Sequence, residues 1–265
     1  MSYYATTFCS GSKYEPIKEK WEDRVKSKCK NAIVKIITNN NSNNDNIVLI
    51  NNYAYAWWDM VRLHNNLEII SETNKPVVNI DSDLIIEKDI EQLVNLNYDL
   101  IISTEIGNNN AFPKECSQIL GFGVCTGFYI IKQGAINFMK NIYESMKTNK
   151  YNTYSDQVNI MNYITNNNYK VTNAEIFLDD IKYINKIIEI DNIKICVLDF
   201  NIIIRDPIMN IGQFGNHINI DNVDGTENFL KYFDNDLESL PLTCRCGKVH
   251  LGDNSICKHI ELRNK

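Results

Sequence analysis

The sequence predicts an α/β fold, a mixed and mostly parallel sheet flanked by helices, with a short Cys/His-rich tail. Two observations carry this. In the first half, apolar runs rich in β-branched residues alternate with segments of helical periodicity, the cadence of a sheet whose strands are joined by crossover helices. One of these runs, residues 77–86, follows Pro76 and breaks at its centre for Asp81 and Asp83, which reads as a buried strand ending at a site.

Residues 5–9 read as the first strand, closed by the turn Ser10-Gly11-Ser12. From residue 15 to 29, Ile17, Trp21 and Val25 recur at helical spacing, and Pro16 stands where a helix can start. Residues 32–37 and 47–50 are the next strands, separated by the Asn-rich stretch 39–46. A helix over 53–70 carries Trp57, Trp58, Val61 and Leu63 and leads into the acidic strand. Beyond it, 90–97 reads as a helix, 100–104 as a strand and 105–118 as a polar loop able to cover an active site. Residues 121–131 form a strand punctuated by Gly121, Gly123 and Gly127, which let a ligand or another backbone come close. Helices over 133–147 and 156–165 and strands over 193–198 and 202–205 follow, then a polar loop over 212–236. The resulting division is a main domain over 1–238 and a tail over 239–265.

A chain of 265 residues buries a sizeable core. Its net charge of −6 offers no basic face for nucleic acid. The sequence contains no apolar run of membrane-span length and no signal-peptide pattern at its start. The eight cysteines are scattered until the tail, which suits a reducing compartment. These features predict a soluble, cytoplasmic protein.

Side chains alternate along an extended chain, so Asp81 and Asp83 are expected on the same side. Two carboxylates held together repel unless a cation sits between them, and hard oxygen ligands suit Mg²⁺ or Mn²⁺. The chain contains its own control in Asp234-Asn235-Asp236, which has no strand before it. In open α/β sheets, ligands bind beyond the carboxyl ends of strands where strand order reverses, and the acidic strand ends at such a place.

Four segments, in this order, resemble nucleotide-sugar-dependent glycosyltransferases of the Rossmann-like GT-A fold. They are the Asp-x-Asp strand 77–86, the glycine strand 123–131, the helix start Ser155-Asp156-Gln157-Val158-Asn159, and the segment His217…Gly225…Lys231. The likeness is to the plant cell-wall and viral nucleotide-diphospho-sugar transferase family and, more distantly, to the glycogenin-like family. It implies a metal-dependent transfer of a sugar, with retention, from a UDP-sugar to the hydroxyl of a glycan, protein or small molecule. By the same resemblance Asp81 and Asp83 would hold Mn²⁺ or Mg²⁺ with His217 as third ligand, and Lys231 would contact the phosphates. Asp156 would bind sugar hydroxyls, Gln157 would lie near the anomeric carbon, and Thr6 and Phe8 would approach base and ribose. Ser82 and Gly127 would complete the donor site. The chain departs from the glycogenin-like pattern in having Cys125 or Thr126 where that family has an Asn, and in the looser spacing from His217 to Gly225 and Lys231.

Each assignment has a structural competitor. His217 reads equally as a solvated loop histidine, Asp156-Gln157 as a helix cap, and Lys231 as a surface lysine. Trp57 and Trp58 suit a core or interface, and Arg62 suits a surface salt bridge as well as a pairing with the acidic site. In the tail, Cys244, Cys246, His250, Cys257 and His259 offer enough ligands for a structural zinc, with free thiols as the alternative. Two other functions fit the acidic strand: a haloacid-dehalogenase-like phosphatase with Asp81 as nucleophile, and a non-catalytic domain that binds a nucleotide sugar or glycan.

Overall fold

The computed structural model describes residues 1–10, 14–38, 47–49, 58–105, 113–148, 155–205, 214–218, 226–234, 242–243 and 249–250. The first half runs β1 (Tyr3–Phe8), α1 (Ile17–Lys28), β2 (Ala32–Thr38), β3 (Ile47–Leu49), α2 (Trp58–Thr73), β4 (Val77–Ile80), β5 (Leu84–Ile86) and α3 (Glu91–Val94). The middle adds β6 (Leu100–Glu105), α4 (Lys114–Leu120), β7 (Gly123–Ile131), α5 (Ile136–Thr148) and α6 (Ser155–Asn166). Then come β8 (Lys170–Leu178), β9 (Ile181–Ile190), β10 (Ile193–Val197), β11 (Ile203–Arg205), β12 (Gly215–His217) and α7 (Thr226–Asp234). A short pair, β13 (Leu242–Thr243) and β14 (Val249–His250), lies in the tail.

The central sheet has nine strands in the order β3-β2-β1-β4-β7-β6-β10-β9-β8. Only β7 and β9 run against the rest, so the sheet is mixed and mostly parallel. Strand order reverses at β1: its successor β2 lies to one side and β4 to the other, which opens a crevice beyond their carboxyl ends. A second sheet, β11-β12-β5, has β12 at its centre.

Strand alternation sorts the core into two layers. Val78 and Ile80 of β4 join Tyr3, Ala5 and Trp21 in one cluster. Val77 joins Leu100, Ile102, Tyr129 and Ile131 in the other, with Met139 and Ile142 of α5 and Ile160 and Ile164 of α6. No helix among the described residues is long and apolar enough to cross a membrane.

Several sequence expectations are corrected. The acidic run is not one strand: Leu84 N–H donates to the Asp81 carbonyl at 2.9 Å, closing a turn between β4 and β5. Gly121 is not in a strand; with φ of 76° it ends α4 in the left-handed conformation that glycine reaches without strain. The loop expected over 105–118 contains the start of α4, and the loop expected over 212–236 contains β12 and α7. The hairpin β8–β9 is not among the expected elements; its turn at Asp179 and Asp180 has φ of 48° and 64°, positive at both central residues as a type I′ hairpin turn requires. The helix expected over 53–70 is seen as α2 from Trp58, while Trp57 lies outside the described residues. So do Cys244, Cys246, Cys257 and His259 of the expected zinc group; His250 lies in β14.

Helix α7 is held by Phe229 and Phe233, both buried and packed edge to face at 5.7 Å. Arg24 of α1 donates to the Phe233 carbonyl at its end and, through Nη2, to Glu87 beyond β5 at 2.7 Å. Phe229→Ala is expected to cost about 3–5 kcal/mol, whereas Phe177→Ala on the exposed hairpin changes stability by about 0.5 kcal/mol or less. Urea denaturation of the two variants checks this.

Candidate functional site

The turn between β4 and β5 lies at the crevice where strand order reverses, and it points both carboxylates the same way by chain reversal. Asp81 N–H donates to the Gly127 carbonyl at 2.8 Å, which ties the turn to β7. His217 arrives from the second sheet. In the β12–β5 register it sits opposite Leu84, and Ile218 N–H donates to the Asp83 carbonyl at 2.9 Å. Its Nε2 then lies 2.9 Å from Asp83 Oδ1 and 3.8 Å from Asp81 Oδ2. At 9 % exposure His217 is a buried strand residue, not the solvated loop histidine that its polar neighbours suggest.

The register of strand β7 with β6 jumps from Ile102↔Tyr129 to Ser103↔Cys125, so residues 126–128 leave the ladder with β6. Cys125 and Gly127 face His217, and Thr126 between them faces Asp156. Cys125 Sγ lies 3.9 Å from His217 Nδ1, and Thr126 Oγ1 donates to Asp156 Oδ1 at 2.9 Å. A Cβ on Gly127 would come within 2.6 Å of His217 Cε1 and 3.0 Å of Asp81 Oδ2, so only glycine leaves room for the ring.

Beside this group lies Arg62 of α2, 2 % exposed. Nη1 donates to Asp81 Oδ1 and Nη2 to Asp156 Oδ2, with Asp59 Oδ1 at 3.3 Å from Nη2. Trp58 covers the guanidinium at 5.2 Å from its ring centroid and stacks on Phe8 at 6.5 Å. The surface salt bridge considered for Arg62 is thus replaced by a buried hub. Asp59 also accepts from the Ser155 amide at 2.8 Å and so caps α6 from another helix. That cap holds Asp156 and Gln157, both 1 % exposed, in the first turn of α6.

One guanidinium cannot neutralise three buried carboxylates. Burial, and then the Asp156 charge, push the Asp59 carboxyl up to about 8 despite Arg62 and the Ser155 amide. Burial also raises Asp81, against the pull of Arg62 and His217. For His217 burial favours the neutral ring, but the Asp83 charge outweighs it and holds the imidazolium well above its ordinary value.

Asp81, Asp83 and His217 each present one ligand atom, all within 4.8 Å of one another, so the group can hold a metal ion. The donor set of two carboxylates and one imidazole fits a divalent cation, and the space kept open by Gly127 admits the ring that completes it. Of the other expected site residues, Thr6 is fully buried and donates to the Val78 carbonyl at 3.2 Å, while Phe8 ends β1 half-buried. Ser82 lies in the acidic turn, in hydrogen-bonding contact with the Cys9 thiol, which burial pushes up to about 12. Lys231 is exposed in the last turn of α7. The residues that sequence reasoning left out are Asp59 and Cys125 as partners of the site. An Asp three residues before Arg62 on one helix face was the available signal for the first.

The mixed sheet, with the acidic turn at its switch point, is a GT-A-like fold. Among solved structures, the chain is similar to a glycosyltransferase involved in the glycosylation of the major capsid of PBCV-1. The TM-score is 0.52 at 10% identity, over 87% of this chain and 98% of that one. It also resembles the glycosyltransferase GlyE of Streptococcus pneumoniae TIGR4, at a TM-score of 0.42 and 14% identity, over 63% of this chain and 44% of that one. No protein-family model matches the sequence, and no curated protein does.

Two outcomes follow from the electrostatics. Arg62→Met leaves buried carboxylates uncompensated and is expected to lower the stability of the metal-free chain by about 3–5 kcal/mol, read from urea denaturation. Asp59, Asp81 and His217 are all raised, so the folded metal-free chain holds more protons than the unfolded one. The Asp59 contribution is present below the ordinary carboxylate value of 3.8 and lost as pH rises through about 8, that of Asp81 is lost as pH rises above 3.8, and that of His217 is lost only above the ordinary imidazole value of 6.5. Melting temperatures in EDTA should fall along this range, less steeply in Asp59→Asn, which removes one of the titrating groups.

Proposed function

We propose that the chain is a metal-dependent glycosyltransferase that moves a sugar from a nucleoside diphosphate donor, UDP by the family resemblance, to a hydroxyl acceptor with retention. The observation that carries this reading is the Asp81–Asp83–His217 group at the switch point of a GT-A-like sheet, with Asp156 reached from it through a single arginine. In this reading those three residues hold Mn²⁺ or Mg²⁺. A divalent cation bound there supplies Lewis-acid neutralisation of the leaving diphosphate.

The chain's own groups divide the remaining work. Thr6 and Phe8 border the nucleoside at the end of β1, and Ser82 and Gly127 shape the floor beneath the diphosphate. Lys231 contributes positive charge toward the phosphates. Asp156 accepts hydrogen bonds from donor-sugar hydroxyls, and its orientation is set by Thr126 and Arg62. Gln157 lies next to it, near the anomeric carbon. Asp59, which accepts from the Ser155 amide, holds the start of α6 beside Arg62. In the tail, Cys244, Cys246, His250, Cys257 and His259 are proposed to hold a structural zinc. The neighbour from PBCV-1 acts in the glycosylation of a capsid protein, which makes a protein or its attached glycan an acceptor to try first.

Incubation with a panel of nucleotide sugars should release nucleoside diphosphate when Mn²⁺ is present and not in EDTA. Asp83→Ala should reduce that release by about 10²-fold or more, since it removes a ligand of the charge-neutralising cation. Phosphate release from simple esters would overturn the reading in favour of a phosphatase with Asp81 as nucleophile. Metal-dependent binding of a nucleotide sugar without turnover would favour a non-catalytic binding domain.

A further inference from the structure

The proposed metal site depends on which nitrogen of His217 carries the proton. Its Nε2 faces both carboxylates, at 2.9 Å and 3.8 Å, and must offer a lone pair to ligate a cation. A neutral ring then keeps its proton on Nδ1. That nitrogen is buried, and a buried N–H without an acceptor is costly. Without an acceptor at Nδ1, the tautomer with the proton on Nε2 would be favoured, because Asp83 is there to receive it. That tautomer blocks the metal-ligating position.

Among the described residues, the polar atom at Nδ1 is Cys125 Sγ, at 3.9 Å, within the range of a hydrogen bond to sulfur. The thiol belongs to the strand residue that pairs with Ser103 of β6, at the edge of the irregularity in β7. Ser103 Oγ donates to the Cys125 carbonyl at 2.8 Å and fixes the backbone there. The Gly127 side of the bulge closes on the same ring, where an added Cβ would lie 2.7 Å from Nδ1. The imidazole is therefore bracketed by residues 125 and 127 of one strand.

We propose that Cys125 is a positioning residue: its sulfur accepts the Nδ1–H of His217 and fixes the tautomer and ring angle that present Nε2 to the cation. The role is that of an outer partner to a metal-ligating histidine, for which a carboxylate or carbonyl is the usual choice and a thiol is a weaker acceptor. This inference rests on the metal-site reading of Asp81, Asp83 and His217.

The test is a calorimetric titration of the full chain with Mn²⁺ alone. Cys125→Val keeps the buried volume but removes the acceptor, and is expected to weaken Mn²⁺ binding by about tenfold. Cys125→Ser retains an acceptor and should recover most of that loss. A merely structural role would show the reverse, with Val tolerated and the polar Ser less so. Native-like Mn²⁺ affinity in Cys125→Val overturns the proposal while leaving the metal site standing. A native chain that binds no Mn²⁺ overturns both.

Discussion

The structure turns on one buried guanidinium. Arg62 leaves α2 and meets Asp81 from the turn after β4, Asp156 from the first turn of α6, and Asp59 from its own helix. Taking these charges out of water is expensive, and only close pairing with extra hydrogen bonds compensates. Every element that supplies a partner is therefore held in place by the same requirement. The acidic turn, the start of α6 and the helix α2 cannot drift apart without stranding a charge. Asp59, whose carboxyl burial raises, adds a further tie by capping α6 through the Ser155 amide.

Around this hub the chain solves a second problem, which is to bring a histidine to the acidic turn from far along the sequence. A small separate sheet does so by pairing β12 with β5, the strand that continues directly from Asp83. The histidine and the aspartates thus share one backbone ladder, and their spacing is set by main-chain hydrogen bonds and not by loop conformation. The main sheet contributes from the other side through the bulge in β7. Alternation sends Cys125 and Gly127 to one side of the strand and Thr126 to the other. Thr126 thus addresses Asp156 while its two neighbours bracket His217.

Much of the fold was legible because the signals are local. The β-branched runs of β1, β2, β4 and β7 and the spacing of Ile17, Trp21 and Val25 on α1 follow directly from burial on one face or two. The hairpin β8–β9 was also legible in principle, since its Asp-Asp turn and alternating pattern are local features, yet its many exposed polar residues mask the period. Helix α7 was hidden by flanking polar residues, and its two phenylalanines become a buried face only when α1 packs against it. Gly121 misled because a glycine next to a strand serves equally well as the stop of the helix before it.

By itself the sequence determined that there is an acidic pair at the end of a buried apolar run, an Asp-Gln pair at a helix start, and an α/β sheet to carry both. These depend on residue type and short-range periodicity, which the chain states outright. Tertiary structure alone decided that Arg62 is a buried hub and not a surface charge, and that Cys125 stands behind His217. Each of those is a contact between elements distant in sequence, and its energy comes from the burial and pairing of charge that exist only after the elements have packed.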